Sequence, residues 1–312
     1  MHSIYNEINI NDVIMKINDL LPQSLSLIDR FNIISQDNNE EYLMELLNFC
    51  NHNDVDFLGQ LELRKNIFDY HVGSKKINEC EYHVQWLLSR NLIWNDYSDY
   101  YKSVGAYYLV NVGVHYDFHK EQPLKSIEFY LMANDIMNDI NDYPRTRATI
   151  YFQTCLTYIR MANLEMAKEN LKLFEKIIKT KLKSIYPNSM ESNRIWFLRA
   201  KIYMLEYKYE QALISINKLI EKEQTSDQVI GSDTMLCKAE ILNCLGEYNE
   251  ALAIVDKLTS HNPIFQIRIL TEKIKTYQAL NKESRNLIQE LRLIIKDQPE
   301  PVKNKYGQFI ME

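Results

Sequence analysis

WFLRAKIYMLEYKYEQALISINKL, residues 196–219, and MLCKAEILNCLGEYNEALAIVDKL, residues 235–258, superpose without a gap. Ala200 falls on Ala239, Tyr203 on Leu242, Tyr207 on Gly246, Tyr209 on Tyr248, Ala212 on Ala251 and Leu219 on Leu258. A third copy, TIYFQTCLTYIRMANLEMAKENLKLF, places Cys155, Tyr158, Ala162, Leu164, Ala167 and Phe174 at the same points. A looser fourth copy has Gly113 and Tyr116 followed by Ser126, Tyr130 and Ala133. Self-similarity at such a period is the mark of a repeat architecture, in which each unit buries its apolar face only by stacking on the next.

Within each copy the apolar positions recur three and four residues apart, so each copy reads as two helices. Two antiparallel helices approach closely where small residues meet at their crossing, as Ala200/Ala212 and Ala239/Ala251 would. These positions are those of the tetratricopeptide pattern, with Trp196 at its aromatic start and Pro263 at its closing proline. Ser126, Ala167, Ala212 and Ala251 are separated by 41, 45 and 39 residues, against roughly 34 in the standard repeat, so the helices or loops run long. After Pro263 the helical period persists, with Asn281 near the Gly246 position, but the small-residue crossing is lost, as in a terminal cap. Before Tyr97 the pattern is helical without a repeat. The expected fold is all-α: an N-terminal helical bundle, residues 1–95, joined around Asn95 to Ser98 to a right-handed tetratricopeptide-repeat-like solenoid, residues 96–312.

Composition agrees. Only 7 Gly and 7 Pro occur in 312 residues, too few for the turns of a hairpin-rich β fold. The formal charge of −6 gives no general attraction to phosphate backbones, so direct nucleic-acid binding is not expected. Five cysteines without a CxxC pair fit neither a disulfide framework nor a zinc ribbon, and suit a reducing cytoplasm. No basic-then-apolar leader opens the sequence and no apolar run is long enough to span a membrane, so a cytoplasmic protein is expected. No GxxxxGK[ST], GxGxxG, HExxH or GxSxG motif is present; we expect no cofactor, no metal and no catalytic residue.

Three local patterns invite chemistry. His115 and His119, four apart with Asp117 nearby, have zinc-ligand spacing, but they read as an exposed or groove-facing polar stretch at a helix end. The row Tyr97, Tyr100, Tyr101, Tyr107, Tyr108 and Tyr116 lacks the interleaved basic residues of a base-stacking platform and reads as core. Asp135 with Asp139 reads as a solvated helix face. No helix-turn-helix is legible before residue 70, where Gly59 is the only glycine and a long helical pattern follows it.

An N-terminal bundle, long tetratricopeptide repeats, low glycine and no DNA-binding head together resemble the Rap proteins, within the peptide-sensing (quorum-sensing) regulators of bacteria. IMKINDLL, the acidic stretch NHNDVDFL and Glu62-Leu63-Arg64 follow in the family's order, and HKEQPLKSIEFYLMANDI looks like its first repeat. The resemblance implies that the repeats bind a short signalling peptide while the bundle engages a response regulator or other regulatory protein. Phosphatase members of the family place a glutamine in the acidic stretch; here Val55 stands there and cannot orient water, leaving Gln60 as the alternative in a shifted register.

In such a solenoid the first helix of each pair lines the concave face. Taking Ala200 and Ala239 as equivalent points, the inward side chains are Arg194, Phe197, Lys201 and Met204, then Asp233, Leu236, Glu240 and Asn243. The candidate peptide-binding set is Asn243, Arg194, Lys201, Asp233, Glu240, Phe197 and Met204. An inward amide at Asn243 would hold both an N–H and a C=O of an extended peptide, and Arg194 and Lys201 would take carboxylates. The competing readings are a constitutive protein–protein assembly scaffold and a response-regulator phosphatase; a homodimer is left open.

Overall fold

In the computed structural model the described residues are 48, 57–73, 77–89, 94, 97–182, 190–225 and 230–310. Among them the structure is helical throughout, and no helix is long and apolar enough to cross a membrane. The stretches IMKINDLL and NHNDVD with Val55, and Asn95 and Asp96 of the expected junction, lie outside the described residues. The chain divides into two compact units, one reaching Asn111 and the other beginning at Val112.

The first unit contains α1 (Phe57–Gly73), α2 (Ile77–Leu88) and the first half of α3 (Asp99–Phe118). Leu61, Ile67, Phe68, Val84 and Tyr108 form its buried centre. Gly105 is required there, since a Cβ would stand 2.2 Å from the Trp94 ring. Arg64 is only 1% exposed, its guanidinium 4.4 Å from the Trp86 ring and its Nε donating to Gln60 Oε1 at 3.0 Å. Gln60 is therefore buried and engaged, not presented at a surface.

The second unit continues α3 and adds α4 (Pro123–Met137), α5 (Pro144–Arg160), α6 (Leu164–Ile177), α7 (Met190–Leu205), α8 (Tyr209–Thr225), α9 (Ser232–Leu245), α10 (Tyr248–Val255), α11 (Pro263–Ala279), α12 (Arg285–Lys296) and α13 (Glu300–Tyr306). Prolines start helices here: α4, α5, α11 and α13 each carry one in their first two positions, where the missing N–H costs nothing. The small residues aligned in sequence meet at the crossings. Ala200, Ala212, Ala239 and Ala251 are fully buried, Cys155 Sγ donates to the Ala167 carbonyl at 3.2 Å, and a Cβ on Gly113 would stand 2.4 Å from the Tyr130 ring. A π-helical turn, Ile178–Leu182, prolongs α6 and lies in the longest interval between copies.

Every intra-repeat turn has one residue of left-handed backbone: Glu121, Ala162, Tyr207, Gly246 and Asn281, with φ of 50°, 55°, 58°, 83° and 52°. After each of the last four, the next N–H reaches back to the carbonyls of Tyr158, Tyr203, Leu242 and Tyr277, satisfying helix-end acceptors as in a Schellman cap. Asn281 thus matches Gly246 in backbone as in sequence.

Two sequence expectations change. His115 and Asp117 are not exposed polar residues: they are 0% and 1% exposed. Burial is sustained because Asp117 Oδ2 accepts from Thr157 Oγ1 at 2.8 Å and lies 3.0 Å from Arg160 Nη1. The tyrosine row is divided: Tyr108 and Tyr116 are core, whereas Tyr100 and Tyr107 are exposed, because a row that runs around α3 cannot all face one side.

Candidate functional site

The first helix of each pair turns one face inward around a common cavity of about 510 Å³ within the second unit. The lining residues follow helical spacing. Phe152, Leu156, Ile159 and Arg160 come from α5, Arg194, Phe197 and Lys201 from α7, Asp233 and Glu240 from α9, and Ile264 and Arg268 from α11. Phe118 and Glu121 at the end of α3, Glu223 of α8, and Lys305 and Tyr306 of α13 also belong to the wall. The volume falls within the roughly 300–1,000 Å³ of ordinary ligand pockets, and the wall mixes apolar area with a few fixed charges, as such pockets do.

The charges form two chains of alternating sign. In the first, Lys201 on α7 pairs with Glu240 on α9, and Arg268 on α11 lies 3.8 Å from Glu240 and donates to Asp233 at 2.8 Å. Burial opposes charge on Glu240, yet Lys201 and Arg268 outweigh it and hold the carboxyl below its ordinary value. Burial likewise opposes the Lys201 ammonium, and the nearby Cys237 sulfur and Glu240 raise it in spite of that. In the second chain Arg160 donates to the Asp117 carbonyl at 3.0 Å and to Glu121 Oε2 at 2.9 Å, and Lys305 Nζ lies 3.0 Å from both Glu121 oxygens. Burial pushes the Asp117 carboxyl up, with Arg160 pulling the other way.

Four of the cations also lie over aromatic rings of the wall: Arg160 over Phe118 at 4.6 Å, Arg194 over Phe152 at 4.9 Å, Lys201 over Phe197 at 5.9 Å and Lys305 over Tyr306 at 5.3 Å. Their contact orients the heads and shields the rings from water. The cavity can therefore take an apolar side chain beside a carboxylate or an ammonium, at a site whose own charges are already positioned.

Of the seven residues singled out from sequence, Arg194, Phe197, Lys201, Asp233 and Glu240 lie on this wall. Met204 does not; it packs against the core around Ala200 and Ile241. Asn243 also stands apart from the wall. Its Nδ2 donates to Glu272 Oε1 at 2.6 Å and to Thr276 Oγ1 at 2.8 Å, and so ties α9 to α11.

Sequence reasoning missed Phe152, Leu156 and Ile159, although they align with Phe197, Lys201 and Met204 and the third copy would have supplied them. Arg268 falls at the place of Arg194 and Asp233 when Asn281 is set on Gly246. Glu121, in an intra-repeat turn, and Lys305, on α13, fall outside the inward positions of the first helices. Among the described residues no three of His, Cys, Asp and Glu gather as metal ligands, and His115 and His119 lie in the second unit with ring centroids 5.5 Å apart.

No protein-family model and no curated protein sequence matches the chain. Solved structures do. NprR in complex with its cognate peptide NprX is 13% identical with a TM-score of 0.63, over 99% of this chain and 84% of that one. A Rap protein complexed with Competence and Sporulation Factor is 12% identical with a TM-score of 0.62, over 95% and 80%. The apo form of RapI is 13% identical with a TM-score of 0.50, over 96% and 82%. The chain therefore has the all-α, tetratricopeptide-like fold of these structures.

Proposed function

We propose, from the fold that this chain shares with NprR and Rap structures, that it is a peptide-responsive regulatory protein whose ligand site is the cavity of the second unit. The observation that carries the reading is the wall itself. Successive first helices contribute Phe152, Arg194, Lys201, Glu240 and Arg268 to a single cavity, combining apolar area with charges of both signs. A short peptide offers the same mixture: a backbone with two charged ends and side chains to bury. One neighbouring structure holds a peptide by name, NprX, and another holds Competence and Sporulation Factor.

Occupancy of the cavity would then be passed to a partner protein, a response regulator being the kind that the Rap resemblance implies. A ligand moves such an equilibrium only by binding one state better than the other. The two ion-pair chains supply a basis for that difference, since a charged ligand must exchange with their members. Phosphatase chemistry through Gln60 is disfavoured by its burial against Arg64.

Small-angle scattering on the purified protein, with and without the small-peptide fraction of its native host's culture medium, tests the switch. A change in the radius of gyration that disappears after protease treatment of the fraction supports it. An unchanged radius with a fraction that stabilises the protein thermally would favour a constitutive scaffold with a bound but silent peptide.

A further inference from the structure

Glu121 is held from two sides of the second unit. Arg160 on α5 donates to its Oε2 at 2.9 Å, and Lys305 on α13 lies 3.0 Å from both oxygens. All three side chains line the cavity. The same corner is aromatic: the Arg160 guanidinium lies 4.6 Å from the Phe118 ring, and Lys305 lies 5.3 Å from the ring of its neighbour Tyr306.

The backbone under Glu121 differs from its equivalents. In the other four intra-repeat turns, the N–H following the left-handed residue bonds a carbonyl five residues back. Here Gln122 N bonds the Tyr116 carbonyl, six residues back, at 2.9 Å. This turn thus holds one extra residue, and it presents a glutamate at φ 50°, a conformation that L side chains rarely adopt. The carboxylate it carries into the cavity is the one that both cations share.

We propose that Arg160 and Lys305 form the subsite for the C-terminal carboxylate of a bound peptide whose last residue is bulky and apolar, and that Glu121 occupies this subsite when no peptide is bound. The inference rests on the reading of the cavity as a peptide site. Two converging cations suit a carboxylate, which accepts from both through charge-assisted hydrogen bonds. Arg160 Nη1 is held 3.0 Å from Asp117 Oδ2, which fixes the guanidinium, while Nη2 is the atom that reaches Glu121 Oε2 and would meet the incoming carboxylate. Phe118, Phe152, Ile159 and Tyr306 offer the last side chain its apolar wall. Asp117, 1% exposed and fixed by Thr157, stays in place; Glu121 hangs from a turn and is the group that can leave.

The test compares two pools of N-terminally fluorescein-labelled tetrapeptides, random at three positions and ending in Phe, one as the free acid and one as the amide. Binding to the native protein and to Glu121→Gln is read by fluorescence anisotropy, with circular dichroism to verify the fold. Glu121→Gln should bind the acid pool about tenfold more tightly than the native protein does, with the amide pool unchanged. Lys305→Met in the same background should bring the acid down to the level of the amide. Glu121→Ala, which cannot bridge the two cations, repeats the comparison. Equal affinity of the acid and amide pools for both Glu121 variants overturns the subsite and leaves the peptide reading standing. Binding of neither pool overturns both.

Discussion

Lys305 on α13 and Glu121 in the turn after α3 meet at 3.0 Å across 184 residues of sequence, joining the last helix of the second unit to its first pair. Lys305 is 44% exposed on its side chain, so the contact contributes little to global stability, and added salt weakens it. Its effect is local. Lys305→Met should raise amide hydrogen exchange in α13, residues 300–306, and leave α7 and α8 unchanged, with the melting temperature almost unmoved. Equal protection of α13 in variant and native protein would show that the helix is held by Val302 and Tyr306 alone.

Two glycines are fixed by their neighbours. A Cβ at Gly113 would stand 2.4 Å from the Tyr130 ring, and one at Gly105 would stand 2.2 Å from the Trp94 ring. Gly113→Ala and Gly105→Ala should each cost about 1–3 kcal/mol in urea unfolding, as overpacked substitutions do. Gly307→Ala, which meets nothing within 4 Å, should stay within about 0.5 kcal/mol of native.

The turns can be improved. Tyr207 is 79% exposed and held at φ 58°, where the equivalent residue one repeat later is Gly246. Tyr207→Gly should stabilise the second unit by about 1 kcal/mol, and Gly246→Ala should destabilise it by a similar amount. Thermal unfolding of the two variants checks both signs together.

In the first unit, His83 is 1% exposed, and burial, then His71 and Arg64, depress its pKa to about 3. The unfolded chain takes up a proton near 6.5 that the folded chain refuses, so folding stability is undiminished above that value and declines as pH falls from about 6.5 towards 3. His83→Gln should flatten this slope in urea titrations between pH 7 and 4. An unchanged slope would mean that His83 protonates without unfolding.

Gln60→Ala separates structure from chemistry. Removing the acceptor leaves the Arg64 guanidinium, buried under Trp86, short of a partner, at a cost of about 1–3 kcal/mol. A variant as stable as the native protein that selectively lost phosphatase activity would instead place Gln60 in a reaction.

The repeats could be read because small residues recur where helices cross, and a crossing tolerates little else: Ala200, Ala212, Ala239 and Ala251 are all fully buried. Inward positions transferred well wherever the register was clear, as at Arg194, Phe197 and Lys201. They transferred less well at Asn243, whose amide is taken up by Glu272 and Thr276 of the degenerate last repeat. Glu121 and Lys305 were illegible for a different reason: their partnership is a product of the solenoid's curvature, which no single repeat encodes. Burial of Asp117 was missed because it depends on Thr157 and Arg160, 40 and more residues away.

Whether the cavity of the second unit binds a short peptide is read by equilibrium dialysis of a random tetrapeptide library against the native protein and Leu156→Trp. The added indole would fill the space beside Phe152 and Phe197. A defined set of peptides should be retained by the native protein and lost from a folded Leu156→Trp variant. Retention of the same set by both proteins, or of none by the native protein, would contradict peptide binding in this cavity.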